Sequence, residues 1–70
     1  MTLLELLDAV EIQGAVTVAV YDYDKDEYTV KHNTYNLPCS EYIRHRYGDY
    51  IVRFIYNGED NDTVIEITKE

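Results

Sequence analysis

The sequence predicts a single α+β domain over residues 1–70: a four-stranded antiparallel sheet with an N-terminal helix and a short second helix, in the order α-β-β-α-β-β. Three observations predict it. Apolar residues recur at helical spacing near the start, four later segments alternate between apolar and polar residues, and charged or glycine-containing turns separate them. A domain this small buries only roughly 60% of the surface of its unfolded chain, so association with another chain would add to its stability.

The first helix is predicted over residues 2–12. Thr2 and Glu5 have the spacing of a capping box, in which each side chain bonds to the backbone N–H of the other residue. Gly14 supplies a stop after the helix. The predicted buried face follows at helical spacing: Leu3, Leu6, Leu7 and Val10.

The next two elements are predicted to form a β-hairpin. Residues 16–21 alternate, with valine at every second position, and residues 28–35 alternate again. The six residues between them, 22–27, are charged and turn-prone. This pattern predicts a hairpin with an acidic tip.

The second half of the chain predicts a short helix and two further strands. Ser40 is placed to cap a helix that runs through Tyr47, and Gly48 is expected to end it in the left-handed conformation. Residues 49–56 and residues 63–68 alternate as strands. Strict alternation along the first of these predicts one shared face for four side chains: Tyr50, Val52, Phe54 and Tyr56.

The direction of the third strand decides where the acidic loops meet. An eight-residue helix rises only about 12 Å, whereas an eight-residue strand is about 26 Å long. The third strand is therefore predicted to be antiparallel to the second, with both hairpin loops at the same end of the sheet. We call this predicted surface the acidic rim, and with one tyrosine it forms the candidate partner-binding site: Asp22, Tyr23, Asp24, Asp26, Glu27, Glu59, Asp60 and Asp62.

The charge of the chain indicates what kind of partner to expect. Fourteen acidic and six basic residues give a net charge of -8, which repels nucleic acids and anionic membranes and favours basic partners. Tyr23 and Tyr28 flank the acidic tip, and tyrosine beside carboxylates suits an arginine-rich surface. We expect a non-enzymatic interaction protein that binds a basic protein surface, such as a nucleic-acid-binding groove, by acidic mimicry. A charge of this size also serves solubility alone, as in a small structural domain with no ligand.

Four basic or titratable side chains form a second candidate site: Arg44, His45, Arg46 and Arg53. They suit a contact with a second copy of the chain in a homodimer, or internal ion pairs. They also leave open a homo-oligomer that captures an anionic small molecule between its subunits.

One local pattern resembles a metal site. Asp22, Asp24 and Asp26 stand at alternate positions, as in the opening of an EF-hand calcium loop. Glu27 occupies the position at which that loop needs glycine, and Asn33 the position at which it needs glutamate. We therefore expect no metal and no cofactor, and a metal-responsive module at the loop of residues 22–27 is the alternative.

The single cysteine, Cys39, cannot form an internal disulfide, and no signal peptide is recognisable, which predicts a reducing, cytoplasmic location. No apolar run approaches the roughly 20 residues that cross a bilayer. Because no third group is in place to orient a Cys–His pair, we expect no catalytic residues and no enzymatic activity.

The opening residues 2–8, the valine-rich segment after them and the run Tyr21-Asp22-Tyr23-Asp24 resemble the start of short acidic proteins encoded by phages and prophages of Gram-positive bacteria. The resemblance covers about the first third of the chain. Some proteins of this kind are anti-CRISPR or anti-restriction inhibitors that occupy a nucleic-acid groove of a host defence enzyme. The resemblance therefore implies an inhibitor of a host protein, and it carries over no particular functional residue.

Overall fold

The computed structural model describes residues 1–10, 12–35, 40–59 and 61–69. Its elements are α1 (Leu3–Ala9), β1 (Val16–Asp22), β2 (Glu27–Thr34), α2 (Glu41–Tyr47), β3 (Ile51–Asn57) and β4 (Thr63–Thr68). The α+β class and the predicted order of elements are confirmed. Neither helix is long and apolar enough to span a bilayer, as far as the described residues extend.

The sheet is mixed, which corrects the predicted antiparallel arrangement. Its strand order is β2-β1-β4-β3, with β1 and β4 parallel at the centre and the two hairpins antiparallel on either side. β3 therefore runs in the same direction as β2, and the predicted opposite direction is wrong. A connection between parallel strands is not limited to the length of its helix. Sixteen residues, 35–50, connect β2 and β3, and of those that the structure describes, Glu41–Tyr47 form the helix, so the connection is longer than the helix alone.

This topology places the two acidic loops at opposite ends of the sheet. Val16 pairs with Thr63, where the β3–β4 loop enters β4, whereas Tyr21 pairs with Thr68 beside the β1–β2 hairpin tip. The predicted acidic rim is therefore not formed, and about 20 Å of strand separates its two halves. The halves are Asp22, Tyr23, Asp24, Asp26 and Glu27 at one end, and Glu59 and Asp62 at the other, while Asp60 lies outside the described residues.

α1 begins as predicted and ends earlier. Thr2 Oγ1 accepts the N–H of Glu5 at 3.2 Å, and Glu5 Oε1 accepts the N–H of Thr2 at 3.0 Å, which confirms the capping box. The helix ends at Ala9, because the β-branched Val10 takes an extended backbone and is half-exposed. The predicted place of Val10 on the buried face is wrong. Gly14, with φ of +83°, is left-handed in the turn before β1.

α2 is capped as predicted, but Gly48 acts differently at its end. Ser40 Oγ accepts the N–H of Ile43 at 3.5 Å. Gly48 has φ of −58° and ψ of −33°, so the predicted left-handed conformation is wrong. A side chain at Gly48 would collide with the carbonyl oxygen of Arg44. The carbonyl of Gly48 also accepts the N–H of Leu4 at 2.9 Å, which connects the end of α2 to the first turn of α1.

Both helices pack on one face of the sheet. The core on that face consists of Leu3, Leu6, Leu7, Val16, Val18, Val20, Ile43, Tyr47, Ile65 and Ile67. Ile65 and Ile67 share this face, in agreement with the predicted alternation of residues 63–68. No described helix covers the opposite face, which we call the open face.

β3 does not alternate strictly. The register with β4 shifts between Val52 and Phe54, so that two residues of β3 stand where strict pairing would place one. Val52 packs against the core. After the shift, Phe54 opposes Glu66 on the open face, and Tyr56 follows two residues later on the same face. The predicted common face is therefore wrong, because the bulge changes which side of the sheet each later residue occupies.

Candidate functional site

The open face carries a group of aromatic side chains around one ion pair. We call this group the open-face cluster, and its members are Tyr21, Tyr23, Tyr28, Arg53, Phe54, Tyr56 and Glu66. Four of its rings are exposed to a large extent: Tyr23 by 59%, Tyr28 by 44%, Phe54 by 55% and Tyr56 by 44%. All four strands or their loops contribute to the cluster, so it forms only in the folded sheet.

A buried carboxylate lies at the centre of the cluster. Ile65 and Ile67 face the core, so strand alternation directs Glu66 to the open face. Arg53 Nη1 lies 2.9 Å from Glu66 Oε2, and the side chains of Arg53 and Glu66 are 23% and 4% exposed. A buried charge is costly unless it is paired and hydrogen-bonded. Glu66 therefore determines where its two partners, Arg53 and the hydroxyl of Tyr28, are held.

The guanidinium of Arg53 is covered by aromatic rings. It lies 4.5 Å from the ring centre of Tyr21, 4.7 Å from that of Tyr23 and 5.0 Å from that of Phe54. Cation–π attraction operates at these distances. Tyr21 and Tyr23 also meet edge to face at 5.3 Å. The rings and the guanidinium therefore hold each other in position. Arg53 forms an internal ion pair with Glu66, which is one of the roles that the sequence predicts for it.

Tyr28 connects the edge strand β2 to β4 across β1. Its hydroxyl donates a hydrogen bond to Glu66, and β1 lies between the two strands that this bond joins. This bond raises the pKa of Tyr28 above its ordinary value, and burial and a hydrogen bond with Tyr56 raise it further. Tyr28 keeps its proton at neutral pH, so its hydroxyl remains a hydrogen-bond donor to the carboxylate.

The acidic hairpin tip folds towards the open face. Asp22 Oδ1 accepts two backbone N–H groups of the turn, at 2.9 and 3.3 Å. Asp26 has φ of 52°, in the left-handed region, and accepts the hydroxyl of Tyr21. These two carboxylates stabilise the turn itself, while Asp24 and Glu27 are exposed. The tip therefore presents negative charge at one end of the open-face cluster.

The second acidic loop lies at the other end of the open face. Asp62 is buried and accepts the hydroxyl of Thr17 on β1, so it has a structural role. Glu59 is exposed. It lines, with Tyr56 and Lys31 among others, a shallow depression of about 420 Å³ on this face. Of the predicted partner-binding carboxylates in this loop that the structure describes, Glu59 is the exposed one.

The four residues of the second candidate site do not come together. Arg44 Nη2 lies 2.8 Å from Asp8 Oδ1 and joins the two helices. Arg46 lies over a tyrosine ring of its own helix, and His45 is exposed. Arg53 lies on the opposite face of the sheet. The structure thus offers no single anion pocket made from these four side chains.

A histidine on β2 packs among tyrosines on the helix side. His32 Nε2 lies 3.2 Å from the hydroxyl of Tyr47, and its ring also meets Tyr42. Burial is the main cause that raises the pKa of Tyr47. Within the described ranges, no group of three histidine, cysteine, aspartate or glutamate side chains is arranged to hold a metal ion. The prediction for Cys39 concerns a position outside those ranges.

Comparisons with known proteins add no relative. No family model, curated protein or solved structure matches the chain. The candidate site therefore depends on the geometry of the chain itself, and the open-face cluster is its most distinctive feature.

Glu66, at the centre of the cluster, is not among the residues that the sequence predicts to be functional. Its place in the final strand gives it no role in that prediction, although it is the one charged residue within residues 63–68. The sequence does contain a signal for it: a carboxylate between two isoleucines of a strand with one core face, which indicates a polar side chain on the opposite face of the sheet. Phe54 was missed because strict alternation placed it with Val52.

Proposed function

We propose that the protein is a non-enzymatic protein-binding module that takes a basic protein surface on its open face. The observation that carries this proposal is the exposure of four aromatic rings on a sheet face that no described helix covers. Aromatic side chains are enriched at protein interfaces, where they dominate the binding energy. A contiguous exposed apolar patch is typical of an interaction site.

The distribution of charge supports a basic partner. The net charge is -8, and carboxylates stand at both ends of the open face, with Asp24 and Glu27 at the hairpin tip and Glu59 at the other end. Within the face, Arg53 is neutralised by Glu66. A partner with an apolar centre and lysine or arginine on either side fits this pattern, because opposite potentials meet at both ends.

The resemblance to short acidic phage proteins supports a more specific partner. A nucleic-acid-binding host protein offers a basic groove. In this proposal, the carboxylates at the two ends of the open face, about one strand length apart, take the place of nucleic-acid phosphates in that groove. The inhibitor role rests on this resemblance alone. The docking face rests on the geometry.

The first experiment captures the partner and measures its response to salt. The tagged chain is incubated with a host lysate, and bound proteins are washed at about 0.1 M and then about 1 M salt, conditions that reduce the screening length from roughly 10 Å to roughly 3 Å. We expect a basic protein that is retained at low salt and released at high salt. A partner that binds equally at both concentrations contradicts the electrostatic part of the proposal.

Matched variants then locate the binding face with the purified partner. Tyr23→Ser removes an open-face ring that is 59% exposed, and Tyr42→Ser removes a ring of similar exposure, 61%, on the helix side. We expect the first to weaken binding at least about tenfold and the second to leave it within about twofold. Equal losses from both would contradict the open face as the docking surface.

A second pair of variants separates local charge from total charge. Asp24→Lys and Glu41→Lys change the net charge equally, but the first lies at the hairpin tip and the second on α2. We expect only Asp24→Lys to reduce the association rate strongly. If the two variants act alike, total charge and not its location determines binding.

A further inference from the structure

The outer edge of β3 is only partly covered. β4 pairs with one edge of β3, and the start of the chain covers the first part of the other edge. Val52 donates its N–H to the carbonyl of Met1 at 2.9 Å, and the N–H of Leu3 bonds to the carbonyl of Tyr50 at 2.8 Å. From residue 53 to residue 57, no strand in the described part of the chain lies beside this edge. Its outward backbone groups are available for pairing with another strand.

The three central side chains of this free segment are apolar or aromatic, and they lie on both faces of the sheet. Phe54 and Tyr56 lie on the open face, and Ile55 opposes Ile65 and lies on the helix side, where it is 53% exposed. The sheet's other edge strand, β2, carries charged residues of the kind that discourage strand pairing, including Lys31. The free segment of β3 has one charge, Arg53, which Glu66 neutralises.

We propose that a second copy of this chain covers the edge, with the two β3 strands antiparallel about a two-fold axis at Ile55. The segment from Met1 blocks the edge at Val52, so the longest free overlap is residues 53–57, and its centre is residue 55. The register is therefore set by the structure. In this register the two sheets form one continuous sheet of eight strands.

The sequence of the segment is complementary to itself in this register. Ile55 meets Ile55 of the second copy on the helix side, and Phe54 meets Tyr56 on the open face, once on each side of the axis. Aromatic and β-branched pairs of this kind stabilise neighbouring strands. Arg53 meets Asn57, so the two arginines stand apart. A C2 contact needs a patch that matches itself, and this segment does.

The size of the patch indicates a weak dimer. Phe54 and Tyr56 each leave about half of the roughly 150–250 Å² of an aromatic side chain exposed, and Ile55 adds somewhat less. The three side chains of both copies together supply on the order of 500 Å², below the roughly 1,200 Å² of a standard interface before backbone and flanking contacts are added. We therefore expect dimers at high micromolar concentration and monomers in dilute solution.

Sedimentation equilibrium from about 10 μM to about 1 mM tests the proposal over the range in which a small interface dissociates. We expect the mass of the wild type to rise towards twice the monomer mass. Ile55→Lys places a charge at the axis and is expected to remain monomeric throughout. The matched control, Val30→Lys, adds the same charge on the opposite edge strand, and we expect it to dimerise as the wild type does.

Salt separates this inference from the proposed function. Two copies of a chain with a net charge of -8 repel each other, so screening should strengthen the dimer, whereas it should weaken binding of a basic partner. A wild type that stays monomeric at about 1 mM in high salt overturns the dimer and leaves the docking face untouched. Dimerisation of Ile55→Lys at wild-type strength also overturns it.

A second measurement covers the case in which Ile55→Lys does not fold. Amide hydrogen exchange of the wild type is compared at low and high concentration. We expect exchange at residues 53–57 to slow with concentration and exchange along β2 to remain unchanged. Slowing along β2 in place of β3, or at neither edge, contradicts the proposal.

Discussion

The ion pair of Arg53 and Glu66 predicts an unequal response to the loss of each partner. Arg53→Met keeps an apolar side chain among the rings but leaves the buried carboxylate of Glu66 with the hydroxyl of Tyr28 as its remaining partner in the cluster. Glu66→Met removes the more deeply buried charge and leaves Arg53, which is partly exposed and covered by rings. Arg53→Met is therefore expected to be the more damaging substitution.

The magnitudes follow from the burial of each group. Breaking a buried pair so that a charge remains typically costs about 3–5 kcal/mol, which is the expectation for Arg53→Met. For Glu66→Met we expect about 1–3 kcal/mol, because the guanidinium that remains reaches water. The double variant leaves no uncompensated charge and should lie within about 2 kcal/mol of the wild type. A domain of this length has about 4–10 kcal/mol of stability in total, so Arg53→Met should be partly unfolded at equilibrium if the wild type is near the lower value.

Urea unfolding measures the free energy of unfolding of the wild type, the two single variants and the double variant. Circular dichroism is the signal because the chain has no tryptophan for fluorescence. The matched control is Arg46→Met, which removes an arginine that also lies over a tyrosine ring, and it should change stability by less than about 0.5 kcal/mol. If Arg53→Met costs no more than this control, Glu66 does not depend on Arg53 and the ion pair has no part in stability. Losses of the two single variants that simply add in the double variant would also contradict the coupling of Arg53 and Glu66.

Three further predictions concern stability. Gly48→Ala should cost about 1–3 kcal/mol in urea unfolding, because the new methyl group collides with the carbonyl of Arg44; an unchanged midpoint would contradict this collision. Thr2→Ala should cost about 1 kcal/mol through the lost N-cap. The hydrogen bonds of the cap lower the pKa of Glu5, so the contribution of the cap to stability is present above the ordinary carboxyl pKa and is lost as pH falls through the folded-state pKa. The difference in stability between Thr2→Ala and the wild type should therefore shrink in acid, and a difference that stays constant with pH would contradict this. The raised pKa of Tyr28 gives a contribution to folding stability that is complete below the ordinary phenol pKa of about 10 and is lost as pH rises through the folded-state pKa. In urea titrations at alkaline pH, Tyr28→Phe should therefore lose less stability than the wild type, and equal losses would argue against the hydrogen bond to Glu66.

The sequence predicted the elements well because local spacing determines them. Valine at every second position defines β1, and the reciprocal bonds of Thr2 and Glu5 require only residues three apart. The cap at Ser40 is equally local. These features depend on backbone periodicity and on short-range hydrogen bonds, both of which are visible in the order of residues.

The direction and order of the strands could not be obtained in the same way. A strand has the same alternation whichever way it runs, and the pairing of Val16 with Thr63 joins residues far apart in the chain. The bulge before Phe54 has no glycine to mark it. Gly48 shows a related limit, because its sequence position suited a left-handed cap and only the contact with Arg44 reveals why glycine is needed.

The parallel pairing of β1 and β4 has two consequences for the proposed function. It sends the acidic loops to opposite ends of the sheet, so no single end collects the negative charge. It also places the last strand at the centre, where Glu66 reaches Tyr28 on one edge strand and Arg53 on the other. Had β4 been an edge strand, its carboxylate could have organised one neighbour only. A partner that uses both the aromatic rings and the acidic ends must therefore lie along the open face, across the strands that this carboxylate connects.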